Sequence, residues 1–571
     1  MSVSSLPFLH GALAAVLPKL AAWRRDFHAH PEAGWTEFRT AALIIRRLRE
    51  LGYAIRMGEA ACASDRRMGV PSSAVLAAAR ERALEHGADA ELVAGMGDGY
   101  TGFWADLDCG PGPVTAFRFD MDCNEVAECV EESHRPVREG FASRWPGLMH
   151  ACGHDGHAAV GLGLAEVLVS IRRHLRGRIR LIFQPAEEGA RGALPMSEAG
   201  AVDGVDVLFG FHIGFKAEGP GSLICGTQGF LATTKRDVLF SGVPAHAGAA
   251  PEEGKDALLA ACSAVVNLHA ISRNGKGGTR IAVGRLEGGE ARNVIPASAR
   301  LFMETRGETT ELDAYMTAES ERILRASADL WGCACEWRTV GNSAGGGSSP
   351  ELARLIATVA EAMGGWKTVI SMSGFGATED FACLMSRVQA SGGLASYLQV
   401  GTDRAAGHHS DRFDFDETCL GRALELLARL AVRMAGGGQE DTETETESDM
   451  EFLDEVVRRK GIHVQLWLEG EDGEGFGRGR VELLQLVDEL GSLSKAAKQL
   501  GMSYRGAWGK IKKAERIAGE TLVDASGTKR DGYSLTPAGR ELVQRFQQWY
   551  ADVESFAKKR AEALFSDFDK E

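Results

Sequence analysis

Nine consecutive residues, Met149-His150-Ala151-Cys152-Gly153-His154-Asp155-Gly156-His157, hold three His, one Cys and one Asp between glycines. In an extended segment residues i and i+2 point the same way, so Cys152 and His154 are expected to face one ion while Gly153 lets the backbone come close. Thiolate and imidazole together suit borderline-soft zinc. The plain alternative is a buried Cys among core histidines, and the density of the cluster favours ligation. A second candidate is Gln184-Pro185-Ala186-Glu187-Glu188-Gly189, directly after the apolar run Ile179 to Phe183. Adjacent side chains diverge, so one carboxylate is free to bind metal while the other faces a water as general base, as metal-assisted hydrolysis requires. His212 after Val205 to Phe211, His408-His409 after Tyr397 to Gly401, and Asp120 and Asp122 after Val114 to Phe119 add further groups. All lie just past apolar runs, where open α/β sheets place their sites, and their convergence points to a two-metal hydrolase.

The elements that must position these groups are strands alternating with helices. VTAFRFDMD (114–122), RIRLIFQPAEEG (178–189) and VDVLFGFH (205–212) separated by helical stretches predict an α/β sheet. Residues 228–340 have a different texture, with strands around helices at Asp256 to Ile271 and Leu312 to Ala328, which predicts an inserted α+β lid and dimerisation domain. The flanking segments, 1–227 and 341–436, would then form one discontinuous metal-binding domain. Gly436-Gly437-Gly438-Gln439 followed by EDTETETESD reads as a solvated acidic linker over 437–450, and residues 451–571 as a separate domain.

Composition narrows the class. At roughly 150 residues per domain, 571 residues predict three to four domains. A net charge of −15, from 64 basic and 79 acidic residues, excludes a chain that is basic throughout, while leaving room for a local basic patch. Eleven scattered cysteines have the wrong parity and density for a disulfide scaffold, so a reducing, cytoplasmic setting is expected. Gly11 to Trp23 reads as an amphipathic helix rather than a signal peptide, since no cation precedes it and Pro18 and Lys19 interrupt it. No run of about 18 or more uncharged apolar residues occurs, so no membrane-spanning helix is expected.

Taken in order, MHACGHDGH, FQPAEEG, PAHAGAAP (244–251), ARNVIPAS (291–298) and GHHSDRFDFDE (407–417) resemble the M20 family of metallopeptidases and amidohydrolases. RRDFHAHPEAGWTEF (24–38), SHRPVREGFAS (133–143) and ATEDF (377–381) are similar to the aminobenzoyl-glutamate hydrolases within it, and the likeness runs from about residue 20 to 435. It implies two divalent ions per chain, zinc or manganese, bridged by Cys152, with Glu188 and His409 completing one site and His154 and His212 the other. Glu187 would be the general base, Asp122 would orient a ligand, and His246 would reach the developing oxyanion, often across a dimer interface. Arg292, Asn293 and Arg306 would bind a substrate carboxylate. The family's DMDAL reads DMDCNEV here, placing Cys123 and Asn124 beside the site, and His409 rather than His408 is the expected ligand from its spacing to Phe413.

The last segment carries different chemistry. GSLSKAAKQLGMSYRGAWGKIKKAERI (491–517) reads as a helix-turn-helix, capped by Ser494 and Ser503, with Leu493, Leu500, Ala507, Trp508 and Ile511 filling a small core. Its second helix presents Arg505, Lys510, Lys512 and Lys513, a cationic stripe suited to phosphate contact. A hairpin wing around Lys529-Arg530 and a helix from Pro537 to about Phe565 follow. The order resembles the winged helix of the ModE regulators, which implies DNA contacts from Ser503, Tyr504, Arg505, Lys510, Lys512, Lys513, Lys529 and Arg530.

The expected function is therefore a metal-dependent amidohydrolase acting on an N-acyl or N-aroyl amino acid. It would bear a DNA-binding domain and assemble as a homodimer or with a related second chain. The alternative is a transcriptional regulator whose hydrolase-like half senses ligand, and the intact Glu187 argues against it.

Overall fold

The computed structural model describes residues 6–435, 467–469, 475–500, 502, 504–524 and 533–565. They form two compact units, Met1–Val457 and Arg458–Glu571.

The first unit is built on a nine-stranded sheet. Its strands are β1 (Ala54–Met57), β2 (Phe103–Asp108), β3 (Val114–Asp120), β4 (Arg178–Gln184), β5 (Val207–Glu218), β6 (Ser222–Phe230), β11 (Gly346–Gly347), β12 (Thr368–Gly374) and β13 (Leu394–Thr402). In space they run β1-β2-β4-β3-β5-β13-β6-β11, with β12 also on β6. The central four, β4, β3, β5 and β13, are parallel to one another and buried on both faces, which is why they read as continuous apolar runs. Against β3 lies the helix His154–Ser170, buried from His154 to Leu168, and it in turn is covered by the helices Pro7–Ala29 and Thr418–Ala435. Its small residues set that approach. A Cβ at Gly161 would stand 2.8 Å from the Phe119 ring, and one at Gly163 2.8 Å from Leu20. The amphipathic stretch expected at Gly11 to Trp23 is part of the Pro7–Ala29 helix, which buries Leu9, Leu13, Val16 and Leu20.

Between β6 and β11 the chain makes a second, antiparallel sheet from β7 (Ala232–Ser241), β8 (Thr279–Gly288), β9 (Ser298–Gly307) and β10 (Ala334–Ser343), in the order β10-β7-β9-β8. Burial alternates along β7 and β9, as in a sheet with one solvated face. The helices Ala257–His269 and Thr310–Leu330 cover the other face, packing Ala260, Ala264, Met316 and Leu324 on Val238, Phe240 and Leu301.

The second unit contains helices Arg478–Leu490, Leu493–Gln499, Tyr504–Ala518 and Pro537–Phe565, with a short ribbon pairing Val523–Asp524 with Ser534–Leu535. Leu493, Ala507 and Ile511 are in its core, while Leu500 and Trp508 are partly buried. The first cap differs from expectation: Ser492, not Ser494, accepts from the Lys495 N–H, because the helix starts at Leu493, two residues earlier than a Ser494 cap requires. Ser503, Lys529, Arg530 and the linker 437–450 lie outside the described residues.

Candidate metal centre

The His/Cys/carboxylate groups gather beyond the carboxyl ends of β3, β4 and β13, with β5 running past them. Cys152 is not in an extended segment, as i, i+2 spacing had suggested. Gly153 turns at φ 95° and caps the helix that begins at His154, a left-handed position that glycine alone takes freely. His212 likewise does not end its strand, since β5 continues to Glu218.

Hydrogen bonds decide which ring nitrogens are left for an ion. His154 donates Nδ1–H to the Asp122 carbonyl at 2.9 Å, and its buried Nε2 has no hydrogen-bond partner. His212 donates Nδ1–H to the Ile213 carbonyl at 2.8 Å, leaving Nε2 3.4 Å from Cys152 Sγ. His408 is spoken for at both ends: Nδ1 accepts from Arg404 at 2.8 Å, so Nε2 must carry the proton it offers the Ile213 carbonyl at 3.2 Å. His157 is similar, donating Nδ1–H to Asp120 at 2.5 Å while Nε2 accepts from the Ile213 N–H at 2.9 Å. These tautomers follow from the partners each nitrogen meets.

Cys152, Glu188 and His409 bring their ligand atoms within 4.8 Å of one another, and so do His154, Glu187 and Glu188. His409 Nε2 lies 3.3 Å from Glu188 Oε2, on a residue held at φ 66°. Glu187 and Glu188 each have an oxygen 3.9 Å from His154 Nε2. Asp122 sits between the two segments, accepting from the Glu188 N–H at 3.0 Å. Ala186 and Ala190, on either side of the Glu pair, also have positive φ, so the loop after β4 is strained where it presents its carboxylates.

The electrostatics favour a cation. Burial opposes a charge on His154, yet Asp120 and Asp122 outweigh it and push its pKa well above the ordinary imidazole value. Burial, with Glu379, Glu188 and Asp380 adding, holds Glu187 well above the usual carboxylate range. Burial also raises Cys152 and Glu188. Three buried atoms, His154 Nε2, Glu188 Oε1 and Asp122 Oδ1, have no hydrogen bond. Unpartnered buried polar atoms beside a thiol and imidazole lone pairs fit a divalent metal ion.

Sequence reasoning missed the frame around this centre. Arg118, fully buried in β3, donates to Gln184 at 2.8 Å and Glu379 at 2.9 Å and also pairs with Asp120. Tyr397 donates to Glu379 at 2.6 Å. Glu187, Glu379 and Asp380 form a carboxylate cluster of their own. The signal was an arginine in the middle of an otherwise apolar strand, and the ED pair of ATEDF.

The groups expected on the inserted sheet stand apart. Among the described residues no hydrogen bond or ion pair joins His246, Arg292, Asn293 or Arg306 to the centre. Exposed His246 accepts at Nδ1 from the Gly248 and Ala249 N–H groups, both at 3.1 Å, which puts its proton on Nε2. Arg292 and Asn293 are exposed, and Arg306 pairs with Glu304 at 2.8 Å. In the second unit Tyr504, Arg505, Lys510 and Lys512 are exposed and Lys513 half-buried. Lys512 is paired with Glu515 at 2.7 Å, and Tyr504 with Tyr533 at 2.9 Å.

Both parts of the chain resemble known proteins. Residues 116–433 match the model of peptidase family M20/M25/M40, and residues 479–540 that of the bacterial regulatory helix-turn-helix proteins of the lysR family. The helix-turn-helix is therefore matched under the lysR description rather than as ModE. The chain is 44% identical over 429 residues to an indole-3-acetyl-aspartic acid hydrolase of Enterobacter agglomerans, covering 75% of this chain and 98% of that protein. It is 46% identical over 420 residues to a p-aminobenzoyl-glutamate hydrolase subunit of Escherichia coli, covering 73% and 96%. Among solved structures, an aminobenzoyl-glutamate utilization protein from Klebsiella pneumoniae aligns with a TM-score of 0.64 at 39% identity, over 75% of this chain and 98% of that one. A dinuclear metal-binding peptidase of the M20 family from Bacillus subtilis aligns at 0.51 and 26%, over 73% and 98%.

Proposed function

The chain belongs to peptidase family M20/M25/M40, and from that premise we propose that it is a metal-dependent amidohydrolase that cleaves N-acyl or N-aroyl amino acids of the aminobenzoyl-glutamate kind, carrying a DNA-binding unit. The observation that carries this reading is the convergence of the unpartnered His154 Nε2 and Glu188 Oε1 with Cys152, His212 and the Glu187 carboxylate.

In this reading Cys152, His154, Glu188, His212 and His409 would hold the two ions. His408 and His157 serve as props, because neither has a nitrogen lone pair to spare. Asp122 fixes the His154 tautomer through its carbonyl and the Glu188 backbone through its carboxylate. Two divalent ions, zinc or manganese, would when bound there supply Lewis acidity toward the amide carbonyl and the attacking water.

Glu187 takes the proton of that water and returns it to the leaving nitrogen. A carboxylate whose proton affinity is raised by burial and by Glu379 suits both halves of the task. The segments 1–227 and 341–436 would carry the centre, and 228–340 a lid whose His246 donates Nε2–H to the developing oxyanion while Arg292, Asn293 and Arg306 take a carboxylate. Closure of the lid, from the same chain, a second copy or a related partner, would bring these groups to the site.

The test is Glu187→Gln. It should cut kcat by about 10²- to 10⁴-fold while leaving metal content unchanged. Hydrolysis at the wild-type rate would remove Glu187 from the mechanism.

A further inference from the structure

A cavity of about 770 Å³ opens beside the centre, with Glu188 and His409 in its wall. One side is the helix Ser73–Glu85, which presents Val75, Ala79 and Arg82 to it, and Val126 and Leu148 extend the apolar lining. Arg191 closes the end near the Glu187-Glu188 loop.

Arg191 is held unusually. Its Nη1 donates to the Gly69 carbonyl at 3.1 Å, and its Nε is buried without a partner. Three glycines make the room: a Cβ at Gly189 would lie 1.9 Å from Nε, one at Gly69 2.7 Å from Cδ, and one at Gly34 3.2 Å from Nη2. No carboxylate stands within 4.0 Å of it among the described residues, whereas Arg82, the other cation in the wall, lies over the Trp145 ring at 5.1 Å. A guanidinium anchored by one nitrogen, partly desolvated and lacking a counter-charge, is prepared for a planar anion. With Glu125 and Glu188 also in the wall, the local balance suits a single carboxylate rather than a phosphate dianion.

We propose that Arg191 reads the side-chain carboxylate of an acidic amino acid, and so makes the chain selective for N-acylated glutamate or aspartate over their neutral amides. The inference rests on the hydrolase reading for its substrate and on this cavity for its residue. Arg191 is a specificity-determining group, distinct from the lid residues expected at the α-carboxylate.

The test compares 4-aminobenzoyl-glutamate with 4-aminobenzoyl-glutamine, which keeps the shape and α-carboxylate and loses one charge. Full-length protein loaded with zinc or manganese is assayed for binding by calorimetry and for hydrolysis. Wild type should favour the glutamate compound by about tenfold to a hundredfold, the range of one hydrogen bond to a charged group. Arg191→Gln should erase that preference by weakening the glutamate compound alone, and Arg191→Lys should retain part of it. An equal loss on both compounds, as a mere prop for Gly69 would give, overturns the proposal, as does a preference that survives in Arg191→Gln. If that variant erases the binding preference but no compound is hydrolysed by the metal-loaded wild type, the hydrolase reading falls and the role of Arg191 stands. Hydrolysis with the preference intact in Arg191→Gln does the reverse.

Discussion

The two adjacent histidines His408 and His409 show how much a pair of hydrogen bonds decides. Sequence could rank them only by spacing to Phe413, whereas Arg404 on one side and the Ile213 carbonyl on the other leave His408 no lone pair. His409→Gln should therefore lower the metal content to about one ion per chain or weaken the second site about tenfold or more, while His408→Gln keeps the stoichiometry, both read by metal analysis after dialysis. Proton linkage gives a second expectation. The Cys152 thiol, pushed by burial well above its ordinary value, holds a proton that an ion must displace, so metal affinity should rise with pH and fall steadily on acidification, with protons released on uptake. Calorimetry in buffers of different ionisation enthalpy would detect that release, and a pH-independent affinity would contradict the ligand set. The candidate ligands were legible because their types cluster in short motifs. Arg118, Glu379, Tyr397 and Arg191 were not, since each acts through partners apart in sequence, as with the separation of 261 positions from Arg118 to Glu379.

The strand ends were legible as apolar runs that stop at carboxylates, and they do place Asp120, Glu187 and Glu188 together. The turn from Cys152 into the His154–Ser170 helix was not, because a Gly between two ligand types reads equally as strand or helix cap. That turn carries a prediction. Gly153→Ala has space, with no atom closer than 3.8 Å to the new Cβ, yet it forces a left-handed residue and should cost about 1–2 kcal/mol. The same strain would turn Cys152 away from His154, so metal affinity should fall along with the melting temperature. Gly161→Ala tests packing rather than the centre. Its Cβ would press on Phe119 and Phe183 at 2.8 to 2.9 Å, costing about 1–3 kcal/mol with the metal ligands still in register. A Gly161→Ala protein of wild-type stability would show that the helix is free to back away from β3.

At the scale of the whole molecule, two units with separate cores should unfold separately. Chelation should lower the melting temperature of residues 1–457 by removing a ligand of the folded state, and leave the transition of 458–571 in place. The cations exposed on Tyr504–Ala518 predict DNA binding that weakens steeply with salt, and Lys510→Ala should reduce the slope of log K against log salt by about one. Binding that is indifferent to salt would remove the groove-facing role of that helix. The acidic run 440–449, with no apolar residue to bury, reads as a linker, and the boundary between the two compact units falls a few residues after it, between Val457 and Arg458. The measurement closest to the central claim is turnover of 4-aminobenzoyl-glutamate and related N-acyl amino acids by the full-length protein, with bound metal counted in the same sample. Metal-dependent hydrolysis at about two ions per chain is the predicted result. Two ions bound with no turnover across the panel would contradict it and leave a ligand-binding regulator in its place.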